Sequence, residues 1–149
     1  MQRLWLTALA VLFVLSAAGS RVSGQENSDE AQVRATVEVY LHGLKHNDVA
    51  SFRKAFLPDA KLFFVKRDGT LGTLTQEDWY KGFATSAGKE EEGALSIVTV
   101  DVTGNAASVK VKEEYPKSTY TDYVSLLKLD GQWKIVNKIF VSQKKAGAP

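Results

Sequence analysis

Asp122, Asn137 and Tyr40 are the residues whose types and expected placement could do chemistry. Asp130-Gly131 is a two-residue hairpin signal, so Leu129 faces Gln132 and the pairing runs back through Lys128 with Trp133, Leu126 with Ile135, Val124 with Asn137 and Asp122 with Ile139. The partners share one face of the sheet, which is apolar except for Asp122 and Asn137. A carboxylate is seldom buried without partners. Turned inward, Asp122 pairs with Asn137 or Tyr40, or holds a raised pKa; turned outward, it is ordinary edge solvation. Tyr40 falls on the apolar side of a helical pattern, a usual place for a core aromatic with a satisfied hydroxyl. His42 and His46 have the i, i+4 spacing of a metal pair, but they share a face with Glu38 and lie away from Tyr40. They read as a solvated helix stripe, and no metal is assigned.

The elements that must position these groups follow from periodicity. Val33, Val37, Tyr40, Leu41 and Leu44 recur at helical spacing in a first helix that begins after Ser28 or Asp29 as N-cap and ends near His46-Asn47. Asp48 caps a second helix through Phe56, stopped by Pro58. The period then becomes extended, with a KLFFV strand, an Arg67-Asp68-Gly69 turn and a short strand from Leu71 to Thr75. Thr75 with Asp78 resembles a capping box for a third helix carrying Trp79, Tyr80 and Phe83. The acidic run Glu90-Glu91-Glu92 reads as a solvated loop. Four strands follow, with Val98, Val100 and Val102, then Ala107, Val109 and Val111, alternating with polar residues before the last hairpin. Helices followed by a long meander imply an α+β domain: a curved antiparallel sheet wrapped around N-terminal helices into a cone with an internal pocket. Phe63, Phe64, Trp79, Tyr80, Phe83 and Trp133 supply an aromatic lining or simply the core.

The chain has 149 residues, 44% hydrophobic and 24% charged, which suits one domain with a substantial core. Met1-Gln2-Arg3 and the apolar run Leu4–Leu15 read as a secretory signal, cleaved after Gly19 or, preferably, Gly24. The expected organisation is a signal peptide over 1–24, a polar leader over 25–28, the cone over 29–142 and a tail over 143–149, with the mature protein periplasmic or secreted and not stably held by a membrane. Of 19 Lys and Arg, Arg3 and Arg21 leave with the signal, so 17 remain against 17 Asp and Glu, a balance that disfavours nucleic acid. No cysteine is present, which excludes a thiol nucleophile, a thiolate metal site and disulfides. The strand Tyr123–Leu129 is apolar on both faces, pointing to a homodimer formed through the sheet.

The stretches VYLHGLKHNDVASFRKAFLPDAKLFF and LDGQWKIVNKIF resemble the nuclear transport factor 2-like superfamily, nearest its putative lumazine-binding and SnoaL-like polyketide cyclase branches. That resemblance implies the cone fold and leaves activity open, because the superfamily hosts enzymes and binders on one scaffold. It is similar to the ketosteroid isomerases in helix one. The similarity places Tyr40 at their oxyanion-hole tyrosine and Asp122 at their late-strand carboxylic acid, but puts Phe64 where their catalytic aspartate stands. Phenylalanine cannot move a proton. The expected function is therefore an exported binder of a partly apolar, aromatic small molecule, without cofactor. Its expected ligand-facing residues are Tyr40, Phe64, Trp79, Asp122, Val124, Trp133 and Asn137. The alternative is an isomerase, cyclase or hydrolase using Asp122 with Tyr40.

Overall fold

A computed structural model describes residues 22–147. Helix α1 (Val22–His46) carries Val33, Val37, Tyr40 and Leu44 on one buried stripe, as i, i+4 and i+3 spacing requires. The backbone is helical from Val22, so the Gln25–Ser28 leader and the Ser28 or Asp29 cap give way to continuous helix. Extending a helix already docked by its apolar stripe needs no new nucleus, and Gln25 and Glu26 are good helix formers. Asp29 is buried instead: its Oδ1 accepts from Lys128 Nζ at 2.5 Å and from Trp133 Nε1 at 3.4 Å, tying the start of the domain to the last hairpin.

Asp48 caps α2 (Val49–Ala55) by accepting from the Ala50 amide at 2.9 Å. The helix stops at Ala55, ahead of Pro58, which lies inside the first strand. Strands β1 (Phe56–Val65) and β2 (Leu71–Thr75) form the expected hairpin, followed by α3 (Gln76–Tyr80) and a 3₁₀ turn over Lys81–Phe83. Thr75 caps α3, with Oγ1 accepting from the Asp78 amide at 3.1 Å. The meander consists of β3 (Ala94–Thr103), β4 (Ala106–Glu114), β5 (Ser118–Leu129) and β6 (Gln132–Lys144), the last running two residues past the expected boundary at 142.

The six strands form one open sheet in the order β2-β1-β6-β5-β4-β3. It is mixed rather than wholly antiparallel, because β1 runs parallel to β6. Helix α1 packs across its concave side against β3 and β6, giving an α+β cone. Asp130 and Gly131 both have positive φ, 48° and 78°, and Leu129 pairs with Gln132 as expected of the two-residue turn. The register agrees through Leu126 with Ile135 and then shifts: Ser125 pairs with Asn137, Val124 with Lys138 and Asp122 with Phe140. Val136 is the extra residue of a β-bulge, which reverses the facing of all that follows.

Candidate functional site

Period-2 facing delivers the polar floor of the cone. On β4 the buried series Ala107, Val109, Val111 continues to Glu113, and on β5 Asp122 precedes Val124 and Leu126 on the same face. The bulge turns Lys138 and Phe140 inward beside them. Tyr40 arrives from α1 above. Asp122 has no exposed surface, Glu113 is 3% exposed and Lys138 4%. Three ionisable groups buried together must be paired to persist.

They are paired. Lys138 Nζ donates to Asp122 Oδ2 and to Tyr40 Oη, each at 2.9 Å. The Tyr40 hydroxyl in turn donates to Asp122 Oδ2, and Glu113 Oε1 lies 3.3 Å from it. Burial and the neighbouring carboxylates push the Tyr40 phenol well above its ordinary pKa, so it stays a neutral donor. Burial first, then Asp122, raises the Glu113 carboxyl to about 8, with Lys138 acting against the shift. Asp122 Oδ1 is buried without a hydrogen-bond partner among the described residues. Tyr115 also hydrogen-bonds Glu113, and burial raises its pKa. The floor therefore gathers the Lys138 amine, the Asp122 carboxyl and the raised Glu113 carboxyl within one hydrogen-bonded cluster.

Above the floor opens a cavity of about 760 Å³. Trp79, Phe83 and Phe140 form apolar wall, while Tyr115, Tyr120 and Asn47 add polar groups to the lining. The Lys138 ammonium lies 5.1 Å from the Trp79 ring centre and 4.8 Å from that of Phe140, within cation–π range of both. The loop expected to be merely solvated forms part of the mouth through Glu91 and Glu92. It is clamped to the end of α1: Asn47 Nδ2 donates to Lys89 O at 2.8 Å and Glu91 Oε1 at 2.9 Å, and Lys45 Nζ donates to Glu91 O at 2.6 Å.

The expected site residues separate accordingly. Trp79 lines the cavity, and Tyr40 and Asp122 form the hydrogen-bonded layer directly behind its floor. Asn137 is not on that face, because the Val136 bulge puts it opposite Ser125 and gives its place beside Val124 to Lys138. Val124 is core, and Trp133 sits at the far end of the cone with Asp29. Phe64 backs the Phe140 wall at 5.2 Å without lining the cavity. Glu113 and Lys138 were missed. Glu113 was readable as the next inward position after Val111; Lys138 was not, because no local residue pattern announces the bulge. His42 is exposed, with Nδ1 3.2 Å from Ser51 Oγ.

The model of the putative lumazine-binding family matches residues 28–141. The chain belongs to that family. Its fold is the nuclear transport factor 2-like cone, shared with proteins of that description from Shewanella baltica OS155 (24% identity, TM-score 0.72, covering 85% of this chain and all of that one) and Methylobacillus flagellatus KT (26% identity, TM-score 0.68, 78% and 93%). Among curated proteins this putative lumazine-binding family member is similar to the aldolase FrzH of a Cladobotryum species, 24% identical over 117 residues that cover 78% of this chain and 93% of that one.

Proposed function

We propose that this chain is an exported small-molecule-binding protein that holds a flat, partly aromatic ligand between the Trp79, Phe83 and Phe140 walls, over Lys138 and Glu113. The observation that carries the reading is the cavity itself, large enough for a bicyclic molecule, apolar on its sides and polar at its base. The family description supports a heteroaromatic ligand. Support for export comes from the apolar run over residues 4–15 and the small residues after it. Support for a homodimer comes from the outer sheet face, where Tyr123, Leu127, Leu129, Ile139 and Val141 are exposed together.

Saturation-transfer NMR with lumazine and a panel of flat bicyclic compounds tests the binding reading on the mature chain. Binding that weakens roughly tenfold or more in Phe83→Ala or Phe140→Ala supports it. A panel with no binder, or binders indifferent to both changes, overturns it. A second reading, in which the cone is catalytic, is favoured by the Lys138–Glu113 pair at its floor and by the aldolase name of a relative.

A further inference from the structure

We infer that the cavity takes a flat aromatic cation, a ring system carrying a protonated or quaternised nitrogen, with Glu113 as the counter-charge at its floor. The inference rests on the proposed ligand cavity and names the charge of what fills it. Two carboxyls, Glu113 and Asp122, are buried beside one ammonium, that of Lys138. The ammonium is committed: Nζ lies 2.9 Å from Asp122 Oδ2 and donates to Tyr40 Oη at the same distance. Glu113 keeps only hydroxyl partners, Tyr40 at 3.3 Å and Tyr115, and forms no salt bridge among the described residues. Yet Glu113 is the carboxyl that meets the cavity, since Asp122 is wholly buried behind it. A buried carboxylate without a cation is costly, and a positive ligand in the cavity removes that cost.

The rest of the lining carries the same sign. Glu91 and Glu92 stand at the mouth, and Lys117 is the only basic residue on the lining besides Lys138. Lys138 repels a second cation, but the Asp122 carboxylate at 2.9 Å offsets that repulsion. With that pair set aside, three glutamates of the lining are matched by one lysine. The walls suit the same guest. Trp79 and Phe140 already stand 5.1 and 4.8 Å from the Lys138 ammonium, so their rings lie in a field of positive charge without loss. Tyr115 and Tyr120, edge to face with ring centres 5.9 Å apart, extend the aromatic lining toward the β4–β5 turn. A flat ring cation fills the apolar space with its rings and gives up its hydration more readily than a compact ammonium does. A ligand anion, by contrast, meets three glutamates, and a neutral ring leaves Glu113 without a counter-charge.

The test compares N-methylquinolinium with 1-methylnaphthalene, two flat bicyclic probes of one shape that differ in charge, and adds 1-naphthoate as the anion. Ligand-observed NMR titration gives each affinity. In the parent the cation should bind roughly tenfold or more tightly than its neutral counterpart. Glu113→Gln should bring the two together while still binding 1-methylnaphthalene, and Glu113→Asp, which keeps the charge, should keep the preference. Equal affinities in the parent, or a tighter neutral probe, overturn the inference and leave the binding reading standing; this comparison needs no variant. Tightest binding of 1-naphthoate overturns it as well, because the ligand's charge then belongs with Lys138. A cation preference undiminished in Glu113→Gln places the counter-charge elsewhere and equally overturns it. All three probes failing while other flat compounds bind shows the wrong ligand class, whereas failure of every flat compound removes both readings.

Discussion

At Glu113 burial and the Asp122 carboxylate oppose ionisation, and the pKa rises to about 8. An unfolded glutamate ionises near 4.5. Between those values the unfolded chain has released a proton that the folded chain retains. This group's contribution is therefore whole below about 4.5, declines as pH rises, and is gone above about 8, with a slope of at most roughly 1.4 kcal/mol per pH unit. Urea midpoints measured from pH 5 to 8 should fall with pH in the parent and flatten in Glu113→Gln; parallel curves would contradict the assignment. Asp122→Asn removes the anion beside Lys138, but Glu113 can then ionise in its place. The single change should cost less than the roughly 3–5 kcal/mol of a stranded buried charge, whereas Asp122→Asn with Glu113→Gln should show all of it. A double-mutant cycle by chemical denaturation measures the difference, and additivity would mean Glu113 gives Lys138 no help.

Among the elements, the junction of α1 with the loop over residues 88–93 is the most exposed to single changes. Asn47 has a φ of 51°, which asparagine tolerates better than most residues, and its amide clamps the loop. Asn47→Ala should cost about 2–3 kcal/mol, from backbone strain and two lost hydrogen bonds. Asn47→Gly should be milder by about 1 kcal/mol, because glycine removes the strain but not the lost clamp. Thermal unfolding ranks the two, and hydrogen exchange at Lys89 and Glu91 should quicken in both. Much of this architecture was readable in the sequence. The stripe from Val33 to Leu44, the Asp48 and Thr75 caps, and the Asp130-Gly131 turn each carry their own local chemistry. Long-range pairing does not: β1 beside β6 is parallel, and Val136 bulges where the sheet bends, so Asn137 was expected where Lys138 lies. The Asp122–Tyr40 partnership was one of the alternatives open in the sequence; that the pair stands behind a lysine was not.

For the whole molecule, the proposed homodimer rests on the outer sheet face. Tyr123 and Ile139 are paired there and about half exposed, with Leu127 and Val141 on neighbouring positions. Tyr123→Glu with Ile139→Glu should give a monomer by light scattering while leaving cavity binding intact, and a parent that is already monomeric at high micromolar concentration would remove the dimer proposal. The sheet order has another outcome, which concerns when the protein comes into being. Strand β6 lies between β1 and β5, yet it is made after every other described strand. Until it emerges, the β1–β2 hairpin has no strand to join and β5 keeps a bare edge, and β1 must find β6 across roughly 75 residues of chain. Closure of the sheet therefore waits for β6. A protein that lacks β6 is thus two separate pieces of sheet, and the one strand between them turns those pieces into a single cone.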